Sequence, residues 1–107
     1  MEEILLKCSE LNQLILDSAE YKNYIQARTA LRSNEQLYNS LMEFKNMYTD
    51  IMQYTEGNPY DEILRMYSDN DELIHNSTVN EYLRAESAFS HMVREVLDTV
   101  YEGINIQ

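Results

Sequence analysis

The sequence predicts an all-α protein, an antiparallel helical bundle of about five helices, two of them long and coiled-coil-like. Three observations carry that expectation. Two Gly and one Pro in 107 residues leave too little punctuation for an all-β fold, which needs turn residues roughly every 8–12 positions. Apolar residues return at steps of three and four along most of the chain, the period of one helix face. Between these stretches stand Ser, Asn, Asp and Gly, the residues that start and stop helices. A chain of this length is expected to form a single helical domain, 1–107, with a modest core and no staples.

The first helical segment runs from about Glu2 to Leu16. Ile4, Cys8, Leu11 and Ile15 form one stripe, widened by Leu5, Leu14 and Leu16. Asp17-Ser18 offers a stop and a new N-cap, with Glu20 placed where a negative charge suits the helix dipole; spacing alone leaves open whether Ser18 breaks or kinks the helix. The second segment, about Ala19 to Leu31, carries Tyr21, Tyr24, Ile25, Arg28 and Leu31.

Ser33-Asn34-Glu35-Gln36 fits a capping box and opens the clearest helix, in which Leu37, Leu41, Phe44, Tyr48 and Ile51 follow heptad spacing. Glu56-Gly57-Asn58-Pro59 is expected to close it: Gly57 at the left-handed C′ position, Asn58 as the next cap, Pro59 as the first helical residue. The fourth segment, about Pro59 to His75, holds Ser68-Asp69-Asn70-Asp71, four poor helix formers that predict a local irregularity. Asn76-Ser77-Thr78 marks a further cap. The last helix, about Val79 to Glu102, sets Val79, Tyr82, Glu86, Phe89, Val93, Val96 and Val100 on one seam and ends at Gly103.

Charge narrows the function. Eight Lys+Arg against 19 Asp+Glu give a net −11, and the eight cations are scattered. Nucleic acids and anionic membranes need a basic stripe that releases counterions, so neither direct nucleic-acid binding nor membrane binding is expected. The acidic start Met1-Glu2-Glu3 is unlike a signal peptide, and no apolar run approaches the roughly 18 residues of a membrane span. The lone Cys8 excludes an internal disulfide and a self-contained cysteine-ligated metal site. A cytoplasmic protein is the expectation.

The chemistry-bearing motifs are thin. Cys8 lies on the apolar stripe of the first segment, without a cation at helical spacing to lower its pKa, and is expected in the core. Glu72-x-x-His75 is half of a di-iron motif, and the second histidine, His91, has Ala88 where the other half needs Glu. Asp69-x-x-Glu72 and Glu95-x-x-Asp98 have the form of Mg²⁺-holding pairs in nucleoside triphosphate pyrophosphohydrolases. Glu95 and Asp98, however, fall opposite the seam of their helix, so they cannot converge on an ion inside a bundle. No catalytic, cofactor-binding or metal-ligating residue is assigned, and no cofactor is expected.

Interaction is the better reading. Glu86 is the one polar residue of the final seam, expected either to reach water, to pair with Arg28 or Arg32, or to fix register or partner choice. Nine Tyr without a Trp suit wet, reversible interfaces. Met42, Met47 and Met52 flank the third seam as an adaptable surface. The candidate interaction residues are Tyr21, Tyr24, Phe44, Tyr48, Tyr82, Glu86 and Phe89. Five short stripes present more apolar surface than a monomer covers, so a homodimer is expected.

The chain also resembles the YlbF/YmcA/YheA family of small helical proteins of Firmicutes. The resemblance lies in Leu11, Ile15 and Ser18-Ala19-Glu20-Tyr21-Lys22-Asn23-Tyr24, then Leu37, Leu41 and Glu43-Phe44, and above all in Asn76-Ser77-Thr78-Val79-Asn80-Glu81-Tyr82-Leu83-Arg84-Ala85-Glu86. The last block follows the family's Asn-Pro-x-Val-x-x-Tyr-x-x-Ala-Glu signature with Ser77 in place of Pro, and either residue can start a helix. Longer members carry a cysteine-bearing C-terminal extension tied to iron–sulfur binding in a three-protein complex, and no such segment lies within this sequence. The resemblance implies a non-enzymatic regulator or adaptor with protein partners, in competence, sporulation, biofilm control and ribonuclease Y-linked RNA processing. The reading from another class is an acidic helical chaperone for a client protein.

Overall fold

The structure, a computed structural model, describes residues 1–105. Within them lie six helices and no strand: α1 (Glu2–Leu16), α2 (Ala19–Arg32), α3 (Glu35–Tyr54), α4 (Tyr60–Asp69), α5 (Asp71–Ile74) and α6 (Ser77–Tyr101).

Local side-chain chemistry accounts for the junctions. Ser18 breaks the first helical stretch: its hydroxyl donates to the Ile15 carbonyl at 2.6 Å and accepts from the Tyr21 N–H at 3.1 Å, serving the end of α1 and the start of α2 together. The capping box expected at Ser33 does not form. Ser33 remains in the α2 turn and donates to Ala30 O at 2.7 Å, so Asn34, in extended geometry, accepts from Leu37 N–H at 3.1 Å and becomes the cap. Asn and Ser are equivalent caps energetically, and the one already outside the preceding helix takes the role.

Gly57 has φ +78°, the left-handed backbone that an L side chain rarely adopts, but it follows an extended Thr55 C-cap by two residues rather than sitting at C′. Asn58 Oδ1 accepts from Tyr60 N–H at 3.0 Å, which leaves Pro59 in the cap position, one residue before the helix. The expected irregularity at residues 68–71 is a break. Asn70 donates its side-chain amide to Met66 O at 2.8 Å, competing with the helical bonds there, and splits the fourth segment into α4 and α5. Asn76 accepts from Val79 N–H at 3.1 Å and starts α6 two residues before the spacing placed it.

α6 finds its main partner in α2, while α3 packs on α2 and α4 on α3. The two long helices, α3 and α6, keep their backbones apart and meet through side chains instead of zipping along one seam. The core is small: Leu31 at the end of α2, Leu41 of α3, and Val79 and Tyr82 at the start of α6, with Tyr24, Leu37 and Leu83 among the half-buried residues around them. Met66 of α4 is also buried.

Away from that point the stripes run out into solvent. α1 has no buried residue, and Cys8, expected in the core, is exposed. Periodicity shows that Cys8 shares a face with Leu11 and Ile15, but α1 meets its neighbours too sparingly to cover that face. The molecule measures 52 × 38 × 16 Å, its thinnest dimension little more than one helix diameter of about 10–12 Å. Its radius of gyration is 18.3 Å, against about 13 Å for a compact chain of this length.

Candidate interaction site

The densest side-chain cluster lies where α2, α3 and α6 converge. Tyr82 and Glu86 are one turn apart on α6, the spacing at which helical side chains meet, and the Tyr82 hydroxyl donates to Glu86 Oε2 at 2.6 Å. Lys45 reaches across from α3 to both carboxylate oxygens, at 3.2 and 3.3 Å, with its ammonium 5.4 Å from the Tyr82 ring centroid. Phe89, one turn further along α6, stacks on Tyr24 at 5.4 Å and meets Tyr21 at 5.3 Å. Tyr24 is also 6.0 Å from Tyr82, and the Arg28 guanidinium lies over the Tyr24 ring, 5.8 Å from its centroid. Such aromatic pairs contribute about 0.5–1.5 kcal/mol each beyond their area.

Five of the seven candidate interaction residues, Tyr21, Tyr24, Tyr82, Glu86 and Phe89, therefore come together. The other two stand apart: Phe44 pairs with Tyr67 of α4 at 5.5 Å, and Tyr48 is an exposed side chain of α3. The cation for Glu86 is Lys45, not Arg28 or Arg32, since Arg28 covers Tyr24 and Arg32 covers Tyr38 at 5.5 Å. Nothing in the spacing singles out Lys45 as that partner, although as the only cation of α3 it is the one base that helix can offer a seam carboxylate.

Burial, and after it the hydrogen bond and charge of Glu86, push the Tyr82 hydroxyl well above the ordinary tyrosine range. Its folded-state pKa is raised, so Tyr82 contributes fully to stability below the unfolded value of about 10 and loses that contribution as pH rises beyond it. The unfolding free energy from urea titrations between pH 9 and pH 11 is expected to fall by up to about 1.4 kcal/mol per pH unit on this account. Tyr82→Phe should flatten the dependence, and an equal fall in that variant would contradict the assignment.

The paired acids lie elsewhere and open. Glu95 is exposed, with His91 Nε2 3.1 Å from its carboxylate, Asp98 is exposed on the same helix, and His75 faces Asp71, at 3.3 Å from its carboxylate. Among the described residues no three His, Cys, Asp or Glu gather closely enough to hold a metal ion, and no helix is long and apolar enough to cross a membrane.

Two apolar faces remain uncovered. On α1, Ile4, Leu5, Leu6, Leu14 and Leu16 are 40% to 69% exposed, and Ile4, Cys8 and Leu11 line an open hollow with Val100 of α6. The second face, along α3 and α4, carries Met47, Met52, Tyr54 and Leu64. A family model described as control of competence regulator ComK, YlbF/YmcA, matches residues 4–105. No curated protein and no solved structure matches.

Proposed function

The chain belongs to the YlbF/YmcA family of competence-control regulators, and on that premise we propose that it is a non-enzymatic cytoplasmic adaptor, a homodimer that joins a multi-protein regulatory complex. On this reading it serves competence, sporulation, biofilm control and ribonuclease Y-linked RNA processing, a proposal that the family likeness supports. The observation that supports this reading best is uncovered apolar surface. A compact monomer of 12.7 kDa exposes about 6,200 Å², whereas this chain exposes 8540 Å², a surplus of about 2,300 Å² by the same relation. Stable homodimers bury about 2,000–5,000 Å² in total, about 1,000–2,500 Å² on each copy, so the surplus lies at the upper end of what a second copy covers.

The aliphatic make-up of α1 and of the end of α6, where Leu97, Val100 and, past the helix, Ile104 are each about half exposed, resembles a domain core cut in two, as obligate homodimer interfaces do. The net charge of −11 repels polyanions and favours basic protein partners.

Light scattering at micromolar concentration is expected to give twice the chain mass. Ile4→Glu, at a side chain 65% exposed in the single chain, leaves the helical circular dichroism intact but buries an unpaired carboxylate between copies, which should weaken the dimer more than about 100-fold. A monomeric wild-type protein under these conditions removes the dimer from the reading.

A further inference from the structure

We propose that the open groove between α3 and α4 is the docking site for a cationic amphipathic helix of a partner protein. The inference rests on the adaptor reading and names the chemistry of the partner. The groove, about 540 Å³ in volume, is lined by Met47, Ile51 and Met66, with three acids, Asp50, Glu62 and Asp69, against one cation, Arg65.

Residues 46–72, which run along this edge, hold seven acids and one base, Arg65, a far steeper imbalance than the 19 to 8 of the whole chain. Among the described residues no ion pair engages Asp50, Glu62 or Asp69. α3 also ends without a basic residue in its last turn, so the negative end of its dipole adds to the potential at the mouth of the groove. Two of the three apolar side chains in the groove are methionines, Met47 and Met66, beside Ile51, whereas α1 presents Leu and Ile. Flexible thioethers repack around different apolar anchors.

An apolar floor with acids along its margins fits a helix that presents apolar residues at i, i+3 or i+4 and i+7 and lysine or arginine beside them. It disfavours the same edge of a second copy, whose Asp50, Glu62 and Asp69 would face these acids. It equally disfavours an acidic helix.

The test uses the full chain and a synthetic Leu/Lys peptide of about five helical turns, followed by backbone-amide NMR and by anisotropy of the labelled peptide. Amide shifts are expected to concentrate between Met47 and Asn70. A peptide of the same composition, scrambled so that leucines and lysines share every face, should bind about tenfold more weakly. The combined Met47→Gln, Asp50→Asn and Asp69→Asn variant, all at surface positions, should bind the original peptide about tenfold more weakly.

Equal binding of the two peptides would show attraction by net charge alone and overturn the proposal. Shifts centred elsewhere, an unaffected triple variant, or no binding at all would overturn it as well. Groove resonances that move on diluting the protein alone would assign the groove to a second copy, which also defeats it. Light scattering separates the two readings: a dimer that fails to bind the peptide leaves the adaptor standing and removes only this partner.

Discussion

Leu31→Ala is expected to cost about 3–4 kcal/mol of stability and to lower the melting temperature by about 15–20 °C. Leu31 is fully buried among side chains of α3 and α6, so truncation opens a cavity walled by three helices that no single helix can close by shifting. Lost transfer energy and the unfilled cavity add together. The whole stability of a chain this size is about 5–15 kcal/mol, and only four residues make up the buried cluster, so one side chain carries a large share. Urea unfolding followed by helical circular dichroism, at fixed protein concentration because dimerisation would contribute, measures the effect. Leu14→Ala, at a residue 69% exposed, is the control, expected within about 0.5 kcal/mol of wild type in a monomeric background. Equal losses at the two positions would show that the core is not where the structure puts it.

Glu86→Ala is the second large effect, expected near 2–3 kcal/mol. Its removal leaves the Tyr82 hydroxyl, on a residue 6% exposed, without its acceptor, and an unmet buried donor costs about 1–3 kcal/mol. Lys45 loses a partner too, but its side chain is 37% exposed and recovers hydration, so little of the loss arises there. Glu86→Gln keeps an acceptor and should cost about 1 kcal/mol. In a Tyr82→Phe background the donor is absent, and Glu86→Ala should cost about 1 kcal/mol less than in wild type, a coupling that a double-mutant cycle isolates. Strict additivity of the two changes would show that the 2.6 Å contact contributes nothing.

The extent to which these features were legible beforehand follows the range of the forces involved. The caps at Ser18 and Asn76 and the break at Asn70 depend on side chains bonding backbone three or four residues away, and such bonds can be anticipated from neighbouring letters. Asn34 displacing Ser33 was not legible, because that choice depends on where the preceding helix stops. The Tyr82, Glu86 and Phe89 stripe was legible as one face of one helix. Its completion by Lys45 was not, since that cation lies 41 positions away and arrives through the packing of α2 between its neighbours. Cys8 shows the reverse: its stripe is legible from spacing, whereas its exposure follows from where α1 lies relative to its neighbours.

The amino acids alone determined an all-helical chain of about five segments, the faces on which apolar groups gather, the strongly acidic composition, and the likeness to a regulator family through the block from Asn76 to Glu86. Tertiary structure decided which of those faces are covered. Angles at the junctions set α6 against α2, leave α1 uncovered, and spread the chain into a slab 16 Å thick. Helical period reports the direction in which a side chain points along its own axis, whereas burial requires a second surface, and the place of that surface is a property of the assembled molecule.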